Sequence, residues 1–183
     1  MILKLRCADI LKNITNQKQI LKYEKVDINE VVLSIIEDLH FDIQDKNIEI
    51  NIKTKLPPIY SNRIILKHVF QNLLDNACKY FPKQGNNKID ILYSDNNSNY
   101  VFSIKDTGPG MSKELQKKLF NPSDFNQAVN TVEDVDSGLG LELVRTFIEI
   151  INGKIWLESE VGEGSTFFIS LNKLDDTKAG IFE

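Results

Sequence analysis

The sequence motif DTGPGM spans residues 106–111 of this chain. It follows residues 100–105, in which apolar and polar side chains alternate, so those residues are predicted to form a strand and DTGPGM the loop at its end. Gly108 and Gly110 lack a Cβ, and the backbone can therefore turn sharply there and come close to a flat ligand. The same spacing also occurs in ordinary turns, so the loop alone leaves a structural and a functional interpretation of Asp106 open.

Two further motifs flank this loop in the sequence. Upstream, residues 72–80 (NLLDNACKY) have a helical pattern that carries two amides and ends in lysine and tyrosine. Downstream, residues 136–141 (DSGLGL) open another helical pattern. An amide-bearing helix, an Asp-Gly-Gly loop and a glycine-rich helix start together predict three walls of one nucleotide pocket.

In this order the three motifs resemble those of the catalytic and ATP-binding domain of sensor histidine kinases, within the wider ATPase group of gyrase, mismatch-repair proteins and heat-shock chaperones. The resemblance covers roughly residues 27–172. It implies the Bergerat-type ATP-binding fold. The predicted element order, α-β-α-β-β-α-β-β, favours the same α/β architecture: a two-layer sandwich with a mixed, mainly antiparallel sheet covered on one face by helices.

Composition excludes several classes of function. The chain has 183 residues, enough for one substantial domain with a buried core. Its 22 basic and 26 acidic residues give a net charge of −4, which argues against a nucleic-acid partner. Cys7 and Cys78 lie far apart in helical patterns, so neither a disulfide framework nor a cysteine-rich zinc site is indicated.

The sequence also lacks the signals of membrane insertion. No apolar run approaches the roughly 20 residues that cross a bilayer, and the N-terminus has no signal-peptide pattern. We therefore expect this segment to be cytoplasmic and without membrane contact, within a parent protein that could itself be tethered to a membrane.

Hydrophobic periodicity predicts the elements around the motifs. Asp27 has the spacing of a capping box with the glutamate three residues later, and Ser61 is predicted to cap a long helix. Trp156 lies in a predicted strand and is expected in the core. The helices are predicted at about 62–80, 113–120 and 138–151, and the strands at 47–53, 88–94, 99–106, 154–159 and 165–171.

The chain is predicted to have three parts. Residues 1–25 have the spacing of an amphipathic helix, which either folds back on the domain or, by the resemblance, is the tail of a dimerisation and phosphoacceptor helix pair. Residues 26–173 would form the catalytic ATP-binding domain, in which the irregular residues 121–137 would be a lid over the nucleotide. Residues 174–183 are expected to be a frayed tail.

The amide side chains in residues 72–80 are suitable ligands for a metal ion. Asn72 and Asn76 lie four positions apart and share a helix face. Mg²⁺ prefers oxygen ligands and usually keeps waters and substrate phosphates, so one or two amide oxygens suffice as the share of the protein. The resemblance implies that Asn76 is the principal Mg²⁺ ligand and Asn72 its helper, both as catalytic residues, and that Lys79 and Tyr80 contact the phosphates and the edge of the nucleotide.

Base recognition is assigned to the loop carboxylate. Asp106 can accept a hydrogen bond from the 6-amino group of adenine, where guanine presents a carbonyl oxygen. The resemblance implies a further adenine contact, through water, from the hydroxyl of Thr166. Glycines at a helix start let backbone N–H groups approach a triphosphate, which the helix dipole also favours. The remaining residues of the expected nucleotide site are Gly108, Gly110, Met111, Gly138, Leu139, Gly140 and Leu141.

The amide at position 72 favours phosphoryl transfer over hydrolysis. ATP-hydrolysing relatives have a glutamate at the position of Asn72, where it acts as a general base, and an amide cannot accept a proton near neutral pH. We therefore expect the ATP-binding catalytic domain of a two-component histidine kinase, which transfers the γ-phosphate to a histidine on a separate or deleted helical domain. The expected partners are that domain and a response regulator, and the full-length parent is expected to be a homodimer.

Three departures from the family pattern leave alternatives open. Asp136 stands where the glycine box usually begins with glycine, and the Phe-x-x-Phe signature appears as residues 120–123 (FNPS). The phosphoacceptor is absent, because neither His40 nor His68 is followed by the acidic residue of the acceptor box. The alternatives are a degenerate or split-off ATP-binding interaction module and a protein-serine kinase of the same fold.

Overall fold

The computed structural model describes residues 22–95, 98–120 and 132–173. The predicted N-terminal helix therefore lies outside the described residues as far as residue 21, and so does the predicted tail. In chain order the elements are β1 (Glu24–Asp27), α1 (Ile28–Asp38), α2 (His40–Asp45), β2 (Glu49–Ile52), β3 (Pro58–Ser61), α3 (Arg63–Lys79), β4 (Lys88–Asp95), β5 (Asn99–Asp106), α4 (Lys113–Phe120), α5 (Val132–Ile150), β6 (Lys154–Glu160) and β7 (Gly164–Asn172).

The main sheet has five strands in the order β2-β4-β5-β7-β6. The pair β2 and β4 is parallel, and the other three pairs are antiparallel. Strands β1 and β3 form a separate antiparallel ribbon. The predicted mixed, mainly antiparallel sheet is thus confirmed, whereas the ribbon was not predicted and begins at Glu24, inside the segment expected to be helical.

Helices α3 and α5 pack on one face of the sheet, and α1 packs against α3. Phe70 of α3 meets Phe102 of β5 edge to face, with 5.6 Å between ring centroids, and both side chains are fully buried. On β5 the burial alternates, so that Phe102, Ile104 and Asp106 all face the helices. The strand therefore carries Asp106 to the edge of the core.

The two helix caps are settled by side-chain hydrogen bonds. The carboxylate of Asp27 accepts from the backbone N–H groups of Asn29 and Glu30 at 2.9 and 3.2 Å, which confirms the predicted cap of α1. The cap of α3 is Asn62, whose side-chain oxygen accepts from the N–H of Ile65 at 2.9 Å. The prediction of Ser61 is wrong because that residue ends β3, where it pairs with β1.

Helix α5 begins earlier than predicted. It starts at Val132, so the expected helix start at Gly138, with its phosphate-binding N–H groups, is replaced by continuous helix through Gly138 and Gly140. The sequence of residues 132–137, VEDVDS, contains neither glycine nor proline, so it has no residue that interrupts a helix. Residues 132–137 of the predicted lid are therefore helical, and residues 121–131 lie outside the described parts of the chain.

Trp156 is not a core residue. It lies on the face of the sheet opposite to the helices, where 37% of it is exposed, and its ring stacks on that of Phe168 with 5.0 Å between centroids. Alternation along β6 places Trp156 on this face, whereas its neighbours Ile155 and Leu157 pack against the core.

Among the described helices, none has both the length and the apolar character that a membrane span requires.

Candidate functional site

A cavity of about 170 Å³ lies between the end of α3, the loop after β5, and helices α4 and α5. Six of the residues that line it were predicted as site residues: Asn76, Tyr80, Asp106, Gly110, Met111 and Leu141. Those missed by sequence reasoning are Ala77, Pro109, Leu115, Leu119, Ser165 and Phe167. The fold therefore brings the three sequence motifs to one place, as their order predicted.

Asp106 supplies a buried carboxylate to this cavity. It is only 8% exposed, and its Oδ1 accepts hydrogen bonds from the backbone N–H groups of Gly108 at 2.8 Å and Ser165 at 3.3 Å. Burial raises the pKa of Asp106, while these two donors act in the opposite direction. No donor in the described parts of the chain bonds to Oδ2, so this oxygen is available to a ligand that donates a hydrogen bond.

Two glycines permit the backbones to approach each other around this carboxylate. Gly110 has a φ of +66°, and a Cβ there would lie 1.8 Å from the carbonyl oxygen of Glu160. Gly164 has a φ of +93°, and its Cβ would lie 2.0 Å from the carbonyl oxygen of Asp106. Both positions thus require glycine because the backbones of neighbouring strands lie so close. This requirement is independent of any ligand that also approaches the backbone closely.

The strand hydroxyl at the cavity belongs to Ser165. Ser165 and Phe167 line the cavity, whereas Thr166 lies between them on β7 and faces the other side of the sheet, where it pairs with Lys105 and Glu158. The predicted adenine contact, Thr166, therefore does not line the cavity, because successive side chains of a strand point to opposite faces. The pairing of Asp106 with Ser165 across β5 and β7 fixes which of the two hydroxyls is near the carboxylate.

The two predicted amides occupy successive turns of α3. Asn76 lines the cavity. Asn72 lies one turn earlier, where its Nδ2 donates to the carbonyl oxygen of His68 at 2.7 Å. A Cβ on Gly140 would lie 2.9 Å from the Oδ1 of Asn72, so Gly140 allows α5 to lie against this amide.

Two other side chains of α3, those of His68 and Cys78, have packing roles and no reactive role. The ring of His68 stacks on that of Phe147 of α5 with 5.6 Å between centroids, and burial, with a smaller effect of Lys67, lowers its pKa. Burial chiefly raises the pKa of the free thiol of Cys78 to about 12, so this thiol is not a nucleophile at neutral pH. Both support the predicted packing roles.

The last turn of α3 carries the exposed pair Lys79 and Tyr80. Tyr80 lines the cavity and is 43% exposed, while the ammonium of Lys79 lies 5.8 Å from the centre of the Tyr80 ring and outside the cavity lining. Lys46 secures this turn, because its Nζ donates to the carbonyl oxygens of Cys78 and Lys79, each at 2.8 Å. A positive charge at a helix C-terminus also complements the helix dipole.

Replacing Lys46 with methionine should lower the free energy of unfolding by about 1–2 kcal/mol, because two helix-terminal carbonyls lose a charged donor while the aliphatic packing is kept. Urea unfolding measures this loss. Lys83→Met is the matched control, since Lys83 forms an ion pair with Asp45 in which 78% and 56% of the two side chains are exposed, and we expect less than about 0.5 kcal/mol there. Equal effects of the two substitutions would contradict the role of Lys46.

Comparison with known proteins identifies the family. Residues 61–175 match the family described as histidine kinase-, DNA gyrase B-, and HSP90-like ATPase. This stretch is more than half of the chain, and the chain belongs to that family.

Individual relatives are kinases. The adaptive-response sensory kinase SasA of Gloeothece citriformis is 34% identical over 169 residues, which cover 90% of this chain and 42% of that kinase. The catalytic domain of histidine kinase ThkA has a TM-score of 0.68 and 26% identity, and the likeness covers 83% of this chain and 96% of that domain. ThkA in complex with the response regulator protein TrrA has a TM-score of 0.63, at 26% identity, over 83% of this chain and 42% of that one. The chain spans less than half the length of the curated relatives it matches.

The predicted family and fold are thus confirmed. The chain is an ATP-binding catalytic domain of the histidine kinase type.

Proposed function

We propose that this domain binds ATP with Mg²⁺ in the cavity beside Asp106 and transfers the γ-phosphate to a histidine on a separate or deleted helical domain. The observation that carries the proposal is the buried carboxylate of Asp106, whose Oδ2 accepts no hydrogen bond from the described parts of the chain and borders a cavity lined mostly by apolar side chains. This combination fits a flat heterocycle that donates one hydrogen bond.

Adenine satisfies that requirement and guanine does not. The 6-amino group of adenine would donate to Oδ2 of Asp106, whereas guanine would bring a carbonyl oxygen against the same carboxylate. An unpaired or repelled buried polar group costs about 1–3 kcal/mol, which corresponds to roughly a fivefold to 150-fold preference. Leu141 and Phe167 line the same cavity and are buried, so they would contact the base through apolar surface.

The amides of α3 fit a magnesium ion that arrives with the nucleotide. The described residues contain no cluster of three or more histidine, cysteine or acidic side chains that could hold a metal by itself. Mg²⁺ takes few protein oxygens and keeps waters and phosphates, so Asn76 and Asn72 would supply the protein ligands. When bound, the ion would neutralise charge on the phosphate oxygens.

The amide at position 72 also supports transfer over hydrolysis. Asn72 cannot remove a proton from water near neutral pH, so the attacking nucleophile would come from another domain. The domain would contribute by positioning the nucleotide and neutralising its charge. ThkA has been solved with a response regulator protein, and by analogy we propose a response regulator as the next phosphate acceptor in a cytoplasmic, homodimeric parent.

Transfer is tested with a chimera that joins the phosphoacceptor helix pair of a sensor histidine kinase to this domain. With ATP labelled at the γ-phosphate, the chimera should acquire a phosphate that is stable in base and labile in acid. A chimera with its acceptor histidine replaced by glutamine should acquire none. The isolated domain should neither label itself nor hydrolyse ATP much above background. Robust hydrolysis that Asn72→Ala abolishes would contradict the proposal and indicate an ATPase.

A further inference from the structure

Helix α4 forms one wall of the cavity although most of its described side chains are exposed. Leu115 and Leu119 line the cavity, yet 45% of Leu115 is exposed. The apolar side chains of this eight-residue helix that the structure describes, Leu115 and Leu119, are only partly buried and contribute little packing free energy. Other interactions must therefore keep this wall in place.

Gln116 provides such an interaction. Its Nε2 donates one hydrogen bond to the carbonyl oxygen of Met111 and another to that of Ser159, each at 2.8 Å. Both hydrogens of the amide are thus used, and they join α4 to the loop after β5 and to strand β6. Gln116 is partly buried, whereas its neighbours Lys113 and Lys117 are exposed.

Ser159 extends this connection to the carboxylate. Its Oγ accepts from the backbone N–H of Met111 at 2.8 Å, donates to the carbonyl oxygen of Gly164 at 2.8 Å, and lies 3.0 Å from the Oγ of Ser165. The N–H of Ser165 in turn donates to Asp106. A continuous series of hydrogen bonds therefore runs from α4 to the group that would recognise the base.

We propose that Gln116 is a positioning residue for nucleotide binding: it holds the Leu115 and Leu119 wall over the base, and Ser159 connects that wall to Met111 and Ser165. This inference rests on the proposed function, because its effect is read as nucleotide affinity. Met111 and Ser159, whose carbonyls accept from Gln116, are only partly buried, so water can replace the amide without unfolding the core. Loss of Gln116 should consequently free α4 and leave the rest of the domain folded.

The decisive variant is Gln116→Met, which keeps the length of the side chain and removes both donors. Affinities for adenosine and for ATP with Mg²⁺ should both fall about tenfold, as expected for two neutral hydrogen bonds. Adenosine tests the α4 wall more directly than ATP does, because it lacks phosphates and would occupy only the part of the site that binds the base and the ribose. Amide exchange should become faster at Met111 and along α4, while the midpoint of urea unfolding should stay nearly unchanged.

Matched variants separate positioning from general damage. Lys117→Met introduces the same side chain at an exposed position of the same helix and should keep adenosine affinity within about twofold of the wild type. Ser159→Thr retains the hydroxyl and should bind like the wild type, whereas Ser159→Ala should resemble Gln116→Met.

Each outcome bears on the inference. Wild-type adenosine affinity in Gln116→Met would overturn it and leave the proposed function standing. It would also be overturned if Ser159→Thr and Ser159→Ala lost affinity equally, or if the loss in Gln116→Met came with an equivalent loss of unfolding stability and no local change in exchange. Failure of the folded wild type to bind either adenosine or ATP would instead remove the proposed function, and the positioning role with it.

Discussion

Asp106→Asn should lower the affinity for ATP by about a hundredfold and leave the protein folded. The oxygen of the new amide can keep the hydrogen bonds from Gly108 and Ser165 that Oδ1 accepts in the wild type. The amide nitrogen would then take the place of Oδ2. A donor would face the 6-amino group of adenine, which is itself a donor, so recognition is lost while the fold is retained.

The pKa of Asp106 gives this prediction a second part. Burial raises the pKa of the folded-state carboxyl above 3.8, so the folded state holds the proton more tightly than the unfolded chain does. The contribution of protonated Asp106 to the free energy of unfolding is therefore fully present below the unfolded-state pKa. It is lost as pH rises through the raised folded-state pKa. At neutral pH the charge opposes folding, and Asp106→Asn should not lower the free energy of unfolding.

Calorimetric titration and urea unfolding of the two proteins at pH 7 check both parts. Below neutral pH, ATP affinity of the wild type should fall as Asp106 protonates, at a higher pH than for an ordinary aspartate, and the asparagine variant should lack this dependence. An asparagine variant that binds ATP like the wild type would show that this carboxylate does not recognise adenine.

Gly164→Ala should lower the free energy of unfolding by about 4 kcal/mol and abolish ATP binding. The new Cβ would lie 2.0 Å from the carbonyl oxygen of Asp106, at a φ of +93°, and neither backbone can move without disturbing the pairing of β5 with β7. The displacement would also draw the N–H of Ser165 away from the Asp106 carboxylate.

Gly162→Ala is the matched control for this variant. Gly162 also has a positive φ, +86°, but a Cβ there meets no atom within 4 Å. It should therefore cost only the backbone strain of a non-glycine residue, about 1–2 kcal/mol. Urea unfolding compares the two variants, and equal losses would mean that strain alone, without the contact to Asp106, determines the effect.

Much of the architecture was predictable because local patterns and tertiary contacts agree. The alternation before Asp106 gave β5 with its observed bounds, Asn99–Asp106, and the short apolar spacing after the glycine loop gave α4, Lys113–Phe120. The capping pattern at Asp27 was likewise sufficient, because its hydrogen bonds are local. The order of the three motifs predicted that Asn76 and Leu141 would reach the same cavity.

Sequence patterns were insufficient where the position of a side chain depends on the register between two strands or on a contact with a distant part of the chain. The sequence offers adjacent hydroxyls at Ser165 and Thr166, and only the pairing of β7 with β5 shows which one faces the cavity. Leu115 and Leu119 could have been found from their four-residue spacing next to the loop, but their role depends on where α4 lies. Strand position alone predicts a core location for Trp156 and does not reveal that this face of β6 is uncovered by the described helices.

The most direct test of the account is a calorimetric titration of the wild-type domain with ATP, with and without Mg²⁺, and with GTP in parallel. We expect saturable binding of one ATP per domain, tighter with Mg²⁺, and little binding of GTP. A folded domain that binds neither nucleotide would contradict the account, and would favour an interaction module that has kept the fold without the nucleotide.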